Sequence, residues 1–188
     1  MMVTTSQREP SAAEESGLAS FERLLLPHLS AAYNLARWLT GTVQDAEDLV
    51  QEAYLRALKS FGGFRGGDGR AWLLTIVRNT CYTWLQQNRS NELTTPFNEE
   101  VHNPEEEASN PETLLLRNAG GELIKKALQE LALEFREVLI LRELEGLSYK
   151  EIAGVAGIPI GTVMSRLARA RKQLSRCATK HLSLEAER

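Results

Sequence analysis

The stretch that decides the fold is residues 146–174, GLSYKEIAGVAGIPIGTVMSRLARARKQL. Ser148 stands three residues before Glu151, the spacing of a capping box at the start of a helix. Gly157 suits the left-handed conformation that ends such a helix, and Pro159 suits the first position of a new one. Two short helices joined by a turn of this kind indicate a helix-turn-helix, which places its second helix in the major groove of DNA.

The second helix of this unit has an apolar side and a basic side. Residues 160–180 contain six Lys or Arg and no Asp or Glu. Such cations neutralise phosphates, and arginine also reads guanine. An ordinary solvated helix can carry a basic face too, but together with the cap and the turn the pattern favours DNA binding. The apolar side is Val163, Leu167, Ala170 and Leu174. The opposite side is Thr162, Ser165, Ala168, Arg169, Lys172 and Arg176, flanked by Arg166 and Arg171.

Composition restricts the classes of protein to consider. The 188 residues allow one or two domains, and 43% hydrophobic residues suffice for real cores. A net charge of −3 argues against a general nucleic-acid coat, so DNA binding must be local. No apolar run approaches the ~20 residues of a membrane span, and the polar N-terminus lacks the apolar core of a secretory signal. The chain is therefore expected in the cytoplasm, without membrane insertion.

Cysteine and histidine usage predicts neither a metal site nor a cofactor. Cys81 and Cys177 fall in different predicted domains, which fits a reducing compartment and no structural disulfide. Two unrelated buried thiols are the favoured interpretation, and a redox pair is the alternative. The three histidines are scattered and lack metal-ligand spacing.

An acidic segment divides the chain. Residues 91–112 hold seven Glu and three Pro but no Lys or Arg, a composition that cannot bury enough apolar area to fold alone. The predicted organisation is a disordered tail over 1–17, a helical domain over 18–90, a flexible linker over 91–112, a helix-turn-helix domain over 113–181 and a tail over 182–188. Neither domain shows an alternating strand pattern, so the predicted fold class is all-α.

Three helices are predicted in the first domain, over about 19–39, 43–61 and 71–88. Pro27 disturbs the first helix and predicts a kink or a late start. The apolar stripe of that first helix is Phe21, Leu24, Leu25, Leu29, Ala32, Leu35, Ala36 and Leu39. The stripe of the second is Ala46, Leu49, Val50, Ala53, Tyr54 and Ala57, and that of the third is Trp72, Leu73, Ile76, Val77, Thr80 and Trp84.

An apolar residue on the polar side of the second helix is a candidate interaction site. Leu55 shares that side with Asp48, Gln51 and Glu52. A lone exposed leucine usually means nothing, but one flanked by carboxylates can anchor a protein–protein patch. Asp45, Asp48 and Glu52 also share one side of this helix, as a metal-dependent nuclease would need, but no histidine joins them.

The glycine-rich loop 61–70 precedes the third helix. It is not a phosphate-binding loop, because no Gly-Lys-Ser/Thr follows it. Phe61, Phe64 and Arg65 suit stacking on an unpaired base, and the alternative is that these aromatic rings pack into the core. Potential nucleic-acid contacts on the helix that follows are Arg70, Arg78, Asn79, Tyr82 and Arg89.

Three motifs in this order, DAEDLVQEAYLRALKSFGGF, AWLLTIVRN and FREVLILRELEGLSYKEIAGVAGIPIGTVMSRLARARKQL, resemble the extracytoplasmic-function (ECF) sigma factors of the bacterial sigma-70 family. The resemblance implies two helical domains, sigma regions 2 and 4. It also implies a non-enzymatic subunit that directs core RNA polymerase to promoters and starts promoter melting. The implied partners are core RNA polymerase, promoter DNA and an anti-sigma factor. The rival hypothesis is a dimeric helix-turn-helix repressor that binds a palindrome without polymerase.

The resemblance also implies roles for individual residues, and the acidic linker resembles the segment that threads a polymerase channel. The polymerase-binding residues would be Asp48, Gln51, Glu52 and Leu55. The minus-ten residues, which capture a flipped base, would be Phe61, Phe64, Arg65, Arg70, Arg78, Asn79 and Tyr82. The minus-thirty-five residues would be Thr162, Met164, Ser165, Arg166, Ala168, Arg169 and Lys172.

Overall fold

The computed structural model describes residues 12–92 and 119–186, and within these ranges it contains helices and turns but no strand. The all-α fold class is thereby confirmed, while the predicted acidic linker falls largely outside the described residues. The helices are α1 (Ala12–Leu25), α2 (Leu29–Thr40), α3 (Val43–Ser60), α4 (Gly69–Glu92), α5 (Ala119–Gln129), α6 (Leu133–Leu139), α7 (Tyr149–Ala156) and α8 (Ile160–Ala186). Two 3-10 turns, Leu26–His28 and Phe61–Gly63, and one π-helical segment, Ile140–Leu144, complete them.

The N-terminal domain is a bundle in which α2, α3 and α4 pack against one another. Thr42 starts α3, because its hydroxyl accepts a hydrogen bond from the Asp45 backbone N–H at 3.1 Å. The apolar stripe predicted for α3 is confirmed. Its buried members are Ala46, Leu49, Val50, Ala53 and Ala57, and Tyr54 is half-buried.

Pro27 breaks the predicted first helix into two. The 3-10 turn Leu26–His28 separates α1 from α2. Leu29 was predicted to belong to the apolar stripe, which is wrong, because after this turn it stands 48% exposed. Helix α1 begins at Ala12, inside the segment assigned to a disordered tail, because alanine and glutamate are good helix formers.

The start of α4 is fixed by a close approach to α1. The Asp68 carboxylate accepts hydrogen bonds from the backbone N–H groups of Arg70 and Ala71, at 2.9 and 3.2 Å. Gly69 is buried against α1, and a Cβ added to it would lie 2.8 Å from Cγ of Leu24. The absence of a side chain at Gly69 therefore sets the distance between the two helices.

Replacing Gly69 with alanine should destabilise the protein, although alanine normally favours a helix. The added methyl group must displace Leu24, and overpacking of this kind costs about 1–3 kcal/mol. Urea denaturation measures the change. Gly62→Ala is the control, because a Cβ there meets nothing within 4 Å, and equal midpoints for the two variants would contradict the prediction.

The C-terminal domain contains the helix-turn-helix that the sequence predicts. Both hydrogen bonds of the capping box are present, from Ser148 N to the Glu151 carboxylate at 2.6 Å and from Glu151 N to the Ser148 hydroxyl at 3.3 Å. Gly157 ends α7 in the left-handed conformation, with φ 66° and ψ 35°. Helix α8 starts directly after Pro159 and buries Val163, Leu167 and Ala170, as predicted.

The two domains pack against each other through α4 with α7 and α2 with α6. Arg136 of α6 supplies one connection, because its guanidinium donates to the carbonyl oxygen of Trp38 at 2.9 Å. Within its own domain the same guanidinium donates to the carbonyl oxygens of Leu128, Gln129 and Leu131 at 3.0, 2.7 and 3.1 Å. These carbonyls lie at the C-terminal ends of α5 and α2, where backbone acceptors lack partners in their own helix. Burial lowers the pKa of Arg136 from its ordinary value. Arg136 thus caps one helix in each domain.

No helix in the described ranges is both long enough and apolar enough to cross a bilayer.

Candidate promoter and polymerase interfaces

The predicted polymerase-binding residues form one exposed surface on α3. Asp48, Gln51 and Glu52 are exposed, and Leu55 is 49% exposed beside them. Glu52 pairs with Arg56 one turn away at 2.7 Å. The sequence analysis did not assign Leu58 to this surface. Leu58 is 42% exposed, and its position three residues after Leu55 places both side chains on neighbouring parts of the helix surface.

Asp45 does not belong to this surface. The Asp45 carboxylate accepts a hydrogen bond from the Thr42 hydroxyl, so Asp45 forms part of the N-terminal cap of α3. In the part of the chain that the structure describes, no group of three or more His, Cys, Asp or Glu side chains is arranged to hold a metal ion. The acidic residues of α3 are therefore divided between a helix cap and a surface, which does not favour the nuclease hypothesis.

The glycine-rich loop brings its aromatic rings together. Phe61 contacts Phe21 edge to face at a centroid distance of 5.3 Å, and Phe64 lies 5.0 Å from Trp72. Phe61 and Phe64 are stacked at 6.0 Å, and both are half-buried. This geometry favours a packing role for the two rings, while Arg65 in the same loop remains exposed. Each ring still presents part of its surface to solvent.

The basic face of α4 contacts carboxylates of the C-terminal domain. The Arg78 guanidinium forms an ion pair with Glu137, and the Tyr82 hydroxyl donates to the second oxygen of Glu137 at 2.9 Å. Arg70 forms an ion pair with Glu145 at 2.5 Å. Sequence analysis did not single out the two glutamates, although carboxylates inside the apolar run FREVLILRELEG signal buried partners.

The surroundings of Tyr82 keep its hydroxyl protonated. Burial raises its pKa, and the Glu137 charge raises it further, whereas Arg78 and Arg166 act in the opposite direction. The Arg78 guanidinium also lies 4.1 Å from the centre of the Tyr82 ring. Arg166, predicted to read the minus-thirty-five element, is half-buried near this contact, and Asn79 is exposed at its edge.

All but one of the remaining predicted residues of the recognition helix α8 are exposed to solvent. Met164 is 53% exposed, and the Ser165 hydroxyl donates to the Thr162 carbonyl at 3.0 Å. Arg171 lies to one side, where it pairs with Glu143 at 2.7 Å. The residues exposed on the open side are Met164, Ser165, Ala168, Arg169 and Lys172, with Thr162 half-buried among them.

The two cysteines are free thiols; Cys81 is buried, as expected, but Cys177 is only half-buried. Burial raises the pKa of Cys81 to about 12. The pKa of Cys177 is also raised, by burial and by a hydrogen bond to Glu130. Because the thiolate is the reactive form, the raised pKa values disfavour redox chemistry at these two thiols.

Comparison with known proteins identifies the two domains. The family model for sigma-70 region 2 matches residues 24–91, and that for sigma-70 region 4 matches residues 121–174. The ECF RNA polymerase sigma factor SigE of Mycolicibacterium smegmatis is 33% identical over 174 residues, which cover 93% of this chain and 67% of that protein. The chain belongs to the ECF sigma factors. As a member of the sigma-70 family, it is a transcription initiation factor.

Other relatives of this sigma factor agree in sequence and in fold. The ECF sigma-E factor of Escherichia coli is 36% identical over 137 residues, covering 69% of this chain and 72% of that one. The sigma factor RpoE of Bartonella quintana, solved with the anti-sigma factor NepR, is 30% identical, covers 85% of this chain and 97% of that chain, and gives a TM-score of 0.68. CnrH, solved with the cytosolic domain of CnrY, is 25% identical, covers 85% of this chain and 87% of that chain, and gives a TM-score of 0.60.

Proposed function

We propose that this sigma factor directs core RNA polymerase to promoters through three separate surfaces. Helix α3 binds the polymerase, the glycine-rich loop with α4 reads the minus-ten element and starts melting, and α8 reads the minus-thirty-five element. The observation that carries the proposal is that both sigma-70 regions match this chain, and that the residues assigned to polymerase binding and to the minus-thirty-five element each lie together on one helix, α3 and α8. No covalent step is involved, because melting needs only a base that binds the protein better unstacked than stacked.

The α3 surface has the chemistry of a docking site. An exposed leucine supplies apolar area, and the carboxylates around it set the orientation of a basic partner. Because these residues are exposed and α3 is anchored by its opposite face, a substitution here changes the surface without changing the core.

Glu52→Lys should lower affinity for core RNA polymerase by at least roughly tenfold, because it reverses a charge at the centre of the surface and places a second cation beside Arg56. Surface plasmon resonance with immobilised core enzyme measures the loss. The control is Glu22→Lys, which makes the same charge change at an exposed site on α1. Wild-type affinity of the Glu52 variant would exclude α3 as the docking surface.

Arg169 is the central cation on the open side of α8. Arg169→Ala should weaken holoenzyme binding to promoter DNA by about 1–3 kcal/mol, or roughly 5- to 150-fold, and relax base preference in the upstream element. Footprinting and run-off transcription on genomic promoter fragments test this. Arg171→Ala is the matched control, since Arg171 pairs with Glu143 to one side. An unchanged footprint for the Arg169 variant would remove this residue from the reading surface.

The family suggests a regulatory partner and a location for this chain. The Bartonella quintana sigma factor was solved with an anti-sigma factor, and it covers 85% of this chain at 30% identity. We therefore propose an anti-sigma factor as a regulatory partner of this chain, and the cytoplasm, where RNA polymerase works, as its location. We further propose that the chain has no enzymatic activity of its own and needs no cofactor.

A further inference from the structure

The recognition helix α8 carries an exposed apolar row beside its cations. Met164 is 53% exposed, Ala168 is exposed one turn later, and Ile160, one turn earlier, is 46% exposed. Residues four apart lie on the same side of an α-helix, so these three side chains follow one edge of the open side. Other residues of α8 form its buried side. The apolar row therefore contributes little to the core and lies next to the surface assigned to DNA.

The neighbours of Met164 along this edge add no free hydrogen-bonding group to it. Gly161 has no side chain, and a Cβ built there would meet nothing within 4 Å. Arg171 stands two turns after Met164 on the same edge, where it pairs with Glu143 at 2.7 Å. A base edge that faces Met164 therefore meets carbon and sulfur rather than a donor or an acceptor.

The Ser165 hydroxyl, beside Met164, is left to act as an acceptor. It donates its single hydrogen to the Thr162 carbonyl at 3.0 Å, so its oxygen can only accept from a base. The matching groups in the major groove are the amino groups of adenine and cytosine. Every base pair presents one of these, so Ser165 alone does not separate T·A from C·G. A group that differs between thymine and cytosine must do so.

The C5-methyl group of thymine is the apolar group that base edges present in the major groove. Contact with an apolar side chain removes this methyl from water, whereas a polar base edge in the same place would lose its water without gaining a partner. Methionine suits such a contact, because its flexible, polarisable side chain adapts to the shape it meets. Alanine suits a second contact, because its short side chain lets the helix approach the base closely.

We propose that Met164 and Ala168 bind the C5-methyl groups of thymines in the minus-thirty-five element, so that this sigma factor selects T·A pairs at the positions they face. The proposal rests on the proposed function, in which α8 reads that element. Ile160 lies about 80° around the helix from Ala168, nearer the buried side, so Met164 and Ala168 are the members of the row directed most towards the groove.

Helix geometry sets the spacing of the two thymines. Residues four apart are separated by about 6 Å along an α-helix, and successive base pairs by about 3.4 Å. The two methyl groups should therefore lie about two base pairs apart. Arg169, directly after Ala168, is exposed and can read a guanine next to them.

The test uses the full-length protein assembled with core RNA polymerase. Binding selection from duplexes with a randomised minus-thirty-five element identifies the preferred bases. Each selected thymidine is then replaced by deoxyuridine, which removes the methyl group and keeps every hydrogen-bonding group. We expect each replacement at the two positions to weaken binding roughly fourfold, as loss of one buried methyl group does. A 5-methylcytosine there should bind more tightly than cytosine by a similar factor.

Variants assign the effect to its side chain. Met164→Gln keeps the length and helix propensity of the side chain but makes it polar, so the affinity ratio of thymidine to deoxyuridine should fall to about one at the position that Met164 faces. Met164→Leu stays apolar and should keep most of the ratio. Leu182→Gln is the matched control, because Leu182 is 56% exposed on the same helix, about 27 Å further along. It should leave the ratio at its wild-type value.

The proposal is overturned if the wild type selects no thymine, if it binds thymidine and deoxyuridine equally, or if Met164→Gln keeps the wild-type ratio. The same selection separates this proposal from the proposed function. A defined minus-thirty-five element whose binding is indifferent to methyl groups would overturn the proposal and leave the function standing. If transcription starts but no sequence is selected upstream, the assignment of α8 as a reader fails, and the methyl contact fails with it.

Discussion

The arrangement of the two domains depends on a carboxylate that has no access to solvent, that of Glu137. Removing one partner from a buried ion pair typically costs about 3–5 kcal/mol, because the other charge stays desolvated. The Arg78 and Tyr82 side chains that satisfy Glu137 belong to the other domain. Separation of the domains must therefore rehydrate all three groups together, which makes the contact either made or broken rather than gradually loosened.

The Arg136 guanidinium, next to Glu137 on α6, adds a second connection between the two domains. It donates to carbonyl oxygens at the ends of two helices, one in each domain. Backbone acceptors at a helix end need a partner from solvent, side chain or another helix. Neighbouring residues 136 and 137 thus fasten the short helix α6 to the N-terminal domain through opposite charges, one to backbone and one to side chains.

The helices could be predicted because local sequence determines where they begin and end. The contacts between distant parts of the chain could not be predicted in this way. The capping box at Ser148 and the glycine stop at Gly157 depend on residues within one turn, so the helix-turn-helix could be predicted with its bounds. Exposure of Leu29 depends on how the chain re-enters a helix after Pro27, which periodicity does not encode. The site residues lay on the expected elements. Their engagement by Glu137 and Glu145 required knowing which faces of the two domains meet.

The π-helical segment Ile140–Leu144 determines how the contact between the domains responds to a change in chain length. A π turn is an α-helix with an extra residue accommodated in one turn, so loss of a single residue there returns the helix to regular register. After such a deletion Glu145 would stand seven α-helical residues after Glu137, only about 20° from the same side, and every DNA-facing side chain of α8 would be unchanged in its own helix. The side of the chain on which the two carboxylates lie should therefore tolerate loss of this one residue.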